Sequence, residues 1–186
     1  IDIIPQRVSL LLSGRYDRVI YDFQDELADY RDTARVFAEF TPKAAINFKI
    51  TPHIALYTSF GFGFDSPAGN ELDNFDYTSD GGLHTINPDL KAQKSVSFEL
   101  GIKGEIAGLK KKYFKNTSFE IAFYNTTIED VIVPFVLDAG VFFRNAAKSK
   151  RTGLEVGVSS ELIRGLTLKG SYAYQNFKYD SYLAGH

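Results

Sequence analysis

The 186-residue sequence has no cysteine, no methionine, no tryptophan and only three histidines. Without thiols it has no disulfide framework, no thiolate metal site and no cysteine nucleophile. His53, His84 and His186 show no His-x-x-x-His or His/Asp spacing, so no metal centre and no resident cofactor are expected. No apolar run approaches the roughly 18 residues of a transmembrane helix. That excludes a helical membrane protein and leaves a membrane β-barrel open, because alternating strands average to a soluble-looking hydropathy, here −0.16. Charge of one sign is missing as well. With 21 basic against 23 acidic residues, net −2, the chain has no overall field to draw in nucleic acid or an anionic membrane surface. The start carries no signal-peptide pattern, position 1 is not methionine, and the chain stops at Gly185-His186 directly after a strand-like run. A fragment is expected.

What the chain does have is period-two alternation from end to end, with no stretch of helical i, i+3, i+4, i+7 spacing. The fold class read from this is all-β. Seven strands are expected. The first runs Val8 to about Phe23, with Val8, Leu10 and Leu12 opposed to Ser9 and Ser13. The second carries Phe40, Pro42, Ala44, Ile46, Phe48 and Ile50 on one face. The third is Ile54–Phe64. The fourth, Ser95–Ile106, sets Val96, Phe98, Leu100, Ile102 and Ile106 against Glu99, Lys103 and Glu105. The fifth covers about Thr117–Glu129, the sixth is centred on Leu154–Leu162, and the seventh runs from Leu166 to about Tyr179.

The links alternate in length. Thr51-Pro52-His53 and Ile163-Arg164-Gly165 are short, and 107–116 with its Lys110-Lys111-Lys112 is intermediate. Gln24–Arg35, Asp65–Lys94 and Val131–Ser149 are long. In an up-and-down meander all long links fall at one end, the asymmetry of an outer-membrane barrel with short periplasmic turns. Several strands also hold alternation for about 9–11 residues, enough to cross a bilayer at a tilt. Register is strictly specified, since a one-residue slip would turn Glu99, Lys103 and Glu105 towards lipid at about 2–4 kcal/mol per central charge. The glycines of the polar parity, Gly61, Gly63, Gly101, Gly153 and Gly157, are expected to relieve crowding inside the barrel. Tyr16, Tyr57, Phe64, Tyr172 and Tyr174 lie near strand ends, where an interfacial girdle needs amphipathic rings.

"INPDLKAQKSVSFELGIKGEI", Ile86 to Ile106, resembles the Asn-Pro-x-Leu-Lys…Glu-Leu-Gly-x-Lys signature of a late barrel strand in TonB-dependent outer-membrane receptors. "FTPKAAINFKITPHIALYTSFGFGF", Phe40 to Phe64, resembles that family's hairpin of a Phe-x-Pro-Lys strand and a Tyr-x-Ser strand. "NAAKSKRTGLEVGVSSELIRGLTLKGSYAY", Asn145 to Tyr174, is similar to its Asn-Ala…Gly-Leu-Glu strand and following Ser-Tyr-x-Tyr strand. Ala92-Gln93 depart from the Pro-Glu that often follows the first element. The resemblance implies that residues 1–186 are the penultimate part of a transmembrane barrel of roughly 22 strands, with plug and final strands absent. It also places Pro42 near the outer rim, where a missing N–H is tolerated.

The resemblance further implies localisation in the bacterial outer membrane and energised import of a scarce small-molecule ligand, an iron–siderophore complex before haem, cobalamin or glycans. Its implied partners are outer-membrane lipid and the TonB energy-coupling complex, reached through the missing N-terminal region. No enzyme is expected; no Gly-x-Ser-x-Gly elbow occurs, and "GFGFDS" lacks the third glycine of a dinucleotide fingerprint. Phe75, Tyr77 and Arg144, in expected extracellular loops, are the candidate ligand-binding residues. Asp73, Asp76 and Asp80 do not follow calcium-loop spacing and read as a solvated turn. The rival readings are a soluble secreted β-sandwich binding carbohydrate and a passive porin-like channel.

Overall fold

A computed structural model describes residues 2–23, 33–73, 86–106, 115–137, 140–163 and 165–182. They form one antiparallel sheet whose strands neighbour one another in chain order: β1 (Asp2–Ile4), β2 (Val8–Phe23), β3 (Thr33–Thr51), β4 (Ile54–Asp65), β5 (Gln93–Ile106), β6 (Lys115–Leu137), β7 (Gly140–Ile163) and β8 (Leu166–Tyr182). A five-residue helix, α1 (Gly69–Asp73), follows β4. This up-and-down meander is the all-β architecture the alternation predicts, with eight strands instead of seven. The extra one, β1, has three residues before the Pro5-Gln6-Arg7 turn, too few for alternation to register.

A larger departure is the expected loop Val131–Ser149. Most of it is paired hairpin, with Val133 opposite Arg144, Phe135 opposite Phe142 and Leu137 opposite Gly140. Two register shifts, between Ile128 and Val131 and between Val131 and Ile132, break the parity there, and Asp130 has φ 54°. A bulge inserts an extra residue and flips the face of everything beyond it, so a strand that continues physically looks interrupted in the pattern. β3 likewise begins at Thr33, inside the expected acidic loop. Strands of 23 and 24 residues extend about 75 Å at 3.3 Å per residue, against an apolar band about 25 Å tall. The β6–β7 hairpin therefore rises far beyond the band.

Register sorts the side chains onto two faces. On one, Leu10 lies opposite Ile46, Phe60 opposite Phe98, Leu100 opposite Phe123, and Leu154 opposite Tyr174. On the other, Ser59 pairs with Glu99 and Lys103 with Glu120. The apolar row is not covered: Phe60, Phe98 and Phe123 keep 41–44% of their surface accessible, and no second layer packs on them among the described residues. A contiguous apolar sheet face left open in this way marks a surface meant for something other than water.

Tyr16, Tyr172 and Tyr174 stand exposed on this apolar face, Tyr16 and Tyr174 one step and Tyr172 two steps before the rows turn polar at Arg18 and Asn176, as a girdle requires. Two of the expected girdle residues belong elsewhere. Tyr57 points to the polar face and donates its hydroxyl to Glu120 Oε1 at 2.9 Å. Phe64 packs into the buried cluster of Phe37, Leu72, Leu90 and Ala92.

Pro42 sits opposite Gly14 of β2, while the β3–β4 ladder ends beside it at Lys43–Gly61. The missing N–H stands where pairing on that side stops. Gly101 and Gly153 do relieve crowding: the Tyr57 ring lies over Gly101 and the Tyr124 ring over Gly153, where any Cβ would collide with the phenol. Gly157 has open space and no such role.

Candidate functional site

At the long-link end, the short β4–β5 pair stops at Asp65 and Gln93 while the β2–β3 and β6–β7 hairpins continue on either side. Residues 66–73 and 86–92, on the link between β4 and β5, fill this notch. The start of α1 is capped by Glu71, whose carboxylate accepts from Ala68 N at 2.8 Å, the one half of a capping box that an alanine leaves possible. Leu72 of α1 is completely buried against Phe37 and Leu90. Tyr21 donates its hydroxyl to Pro67 O, and Asn87 N donates to Leu72 O at 2.9 Å.

The Asn-Pro-Asp-Leu-Lys element then spans the notch. From β3, the Arg35 guanidinium forks to Asn87 O at 2.6 Å and Leu90 O at 2.9 Å. From β7, Asn145 Oδ1 accepts from Lys91 N at 2.7 Å, and Asn145 Nδ2 donates to Lys91 O at 2.9 Å and Asp130 O at 2.6 Å. Asn87 Nδ2 donates to Phe143 O at 3.1 Å, and its Oδ1 accepts from Asp89 N at 3.0 Å, an Asx turn ahead of Leu90. Partial burial pulls the Arg35 guanidinium below its ordinary pKa, opposed by Asp89; arginine remains a cation.

Below this clasp, on the polar face, lies an aromatic and cationic wall. Arg151 of β7 stands over Phe177 of β8, 5.4 Å from the ring centroid. Phe177 and Tyr179 meet edge-on at 5.1 Å, and Tyr179 and Tyr182 at 5.9 Å. A cavity of 430 Å³ opens between this wall and the top of β4–β5, lined by Phe64, Gln93, Ser149, Arg151, Phe177 and Tyr179. Chemically it offers stacking surface and a cation, a combination suited to flat, electron-rich or anionic groups. At the short-link end a wider concavity of 840 Å³ is lined by Lys49, His53, Lys103, Glu105, Glu120 and Lys169, among others.

Of the expected ligand residues, Arg144 belongs to a strand and not a loop. It lies in the projecting part of β7 with its guanidinium 4.9 Å from the Phe135 ring centroid. Phe75 and Tyr77 lie outside the described residues, as do His84, His186, Asp76, Asp80 and Lys110-Lys111-Lys112. No cluster of three or more metal-ligating side chains occurs among the described residues. Sequence reasoning missed Arg151, Phe177, Tyr179 and Tyr182. Their signal was Phe177 and Tyr179 two apart on the polar parity of β8, where rings are out of place unless something stacks on them.

A family model for the TonB-dependent receptor-like β-barrel matches residues 1–185. Among solved structures, the copper transporter OprC is similar with TM-score 0.68 and 16% identity over 96% of this chain and 28% of its own. The hemophore receptor HasR of Serratia marcescens, in complex with its hemophore HasA and heme, gives TM-score 0.68 and 17% identity over 91% of this chain and 32% of its own. The FrpB iron transporter of Neisseria meningitidis gives 0.62 and 18% over 96% and 25%. The chain thus spans a third or less of the length of these transporters and receptors, and it shares their fold. It belongs to the TonB-dependent receptor family, as a section of its β-barrel.

Proposed function

We propose that residues 1–186 form a late section of the barrel of an energised outer-membrane importer, with plug and final strands supplied by the remainder of the protein. The β-barrels of this family are characteristic of the bacterial outer membrane. The observation that carries the reading is the division of one unbroken meander into an uncovered apolar face and a polar face bearing Arg151, Phe177 and Tyr179. Lipid takes the first and the transported ligand passes the second. A soluble sandwich would need a second sheet over Phe60, Phe98 and Phe123, and none covers them among the described residues.

The ligand class we name first is an iron–siderophore complex, in keeping with the iron transporter among the similar structures; copper and heme, named for OprC and HasR, are the next to test. Arg151, Phe177 and Tyr179 stack on the ligand, with Phe75, Tyr77 and Arg144 as further contacts. TonB drives release through the region absent from this chain. The test is uptake of iron-59 siderophores by cells carrying the full-length protein, alongside its membrane fractionation and heat-modifiable gel mobility. Uptake abolished by a protonophore is expected. Protonophore-resistant uptake would leave a passive channel, and a water-soluble product with no mobility shift would restore the sandwich.

A further inference from the structure

The near-zero net charge conceals a local arrangement at the upper edge of the apolar face of β7–β8. Going up that face, the cross-strand pairs are Leu154–Tyr174, then Thr152–Asn176, then Lys150–Lys178. Two lysines directly opposite one another repel, and a sheet normally avoids this pairing. Both are exposed, and neither has an ion-pair partner among the described residues. The nearest acid in the next row, Glu129, is already engaged by Lys148 at 2.7 Å, and Asp180 also faces Lys148.

Each step of two residues climbs about 5 Å along the membrane normal for a strand tilted near 45°. The Lys150–Lys178 pair therefore stands about 10 Å above the last apolar pair, and flexible stems carry both ammonium groups into the depth of lipid headgroups.

We infer that Lys150 and Lys178 form a binding site for the anionic phosphate of a lipid headgroup, whose acyl chains continue down over Tyr174, Leu154 and Tyr172. The inference rests on the apolar face being lipid-facing, and it adds a selected lipid to that face. A phosphate between the two ammonium groups turns their repulsion into shared attraction. Continuity with the apolar row favours a lipid over a soluble anion, because one molecule satisfies both surfaces.

The test uses the full-length receptor, reconstituted in phosphatidylcholine vesicles with or without phosphatidylglycerol, then solubilised and examined by native mass spectrometry for retained lipid. Wild type should retain phosphatidylglycerol in preference to phosphatidylcholine. Lys150→Gln with Lys178→Gln should weaken retention about fivefold per lysine, while Lys150→Arg with Lys178→Arg preserves it and Lys49→Gln, on the opposite face, changes nothing. Equal retention by the glutamine variant overturns the site, as does equal retention of the two lipids. Inorganic phosphate that competes at millimolar concentration overturns the lipid assignment. Heat-modifiable mobility is read on the same samples: its absence removes the lipid-facing reading itself, whereas its presence with unchanged retention removes only the paired-lysine site.

Discussion

The carboxamide of Asn145 grips the backbone of Lys91 at both ends, accepting from its N at 2.7 Å and donating to its O at 2.9 Å, across 54 residues of sequence. A side-chain amide here replaces the partner strand that the residues leading into β5 lack. Its donation to Asp130 O at 2.6 Å ties the bulge of β6 into the same joint.

Asn145→Ala removes three hydrogen bonds and strands backbone groups that the side chain satisfied, at about 2–4 kcal/mol of local stability. The expected result is selective acceleration of amide exchange at 89–91, with the exchange of β4 and β5 unchanged. Asn145→Asp keeps the acceptor but sets a carboxylate oxygen against the Lys91 and Asp130 carbonyls, so it should accelerate exchange there at least as much as alanine. Uniform acceleration throughout the sheet would show that the joint supports the whole sheet and not this segment alone.

Arg151→Ala takes the cation from Phe177 and from the cavity beneath the clasp. Ligand affinity should fall about tenfold, in the range of a desolvated cation–π contact with charge pairing, while heat-modifiable mobility stays as in wild type. Equilibrium binding of an iron–siderophore complex to the purified full-length protein checks this, and unchanged affinity would remove Arg151 from the proposed ligand site.

Phe98→Arg puts a charge on the apolar face near the middle of β5, where a bilayer would penalise it by about 2–4 kcal/mol. Gln175→Arg, on the polar face of β8, should cost less than about 1 kcal/mol, as for an exposed surface change. Reversible urea unfolding in vesicles separates the two, and equal costs would contradict the assignment of faces.

Gly101→Ala drives the Tyr57 ring off its seat and breaks the Tyr57–Glu120 hydrogen bond. Loss of that bond together with local overpacking should destabilise by about 1–3 kcal/mol. At Gly157 no atom lies within 4 Å of an added Cβ, so Gly157→Ala should change unfolding midpoints little. A reversal of this order would mean that the rings and not the glycines accommodate the crowding.

Strand identity was legible wherever parity held unbroken: Val8–Phe23 and Ile54 onward were placed from alternation alone, and the faces of β5 follow the sequence residue by residue. Legibility failed at Asp130, where the bulge reversed parity and a long hairpin read as a loop, taking Arg144 with it. The clasp was invisible for a different reason. "INPDLK" and "NAA" each suggested a family, but nothing in a linear pattern states that Asn145 reaches Lys91. Phe177 and Tyr179 lie on the polar parity of β8 in the sequence itself, but their two-residue spacing does not state that Arg151 of the neighbouring strand stands over them.

The two ends that flank residues 74–85 are tied to each other and to β3: Leu72 O receives Asn87 N, and Arg35 secures Asn87 and Leu90. Residues added between these two anchored ends carry only a slowly growing loop-closure cost, so an epitope tag inserted between Asp73 and Ile86 should leave the unfolding midpoint of the sheet close to that of the wild type.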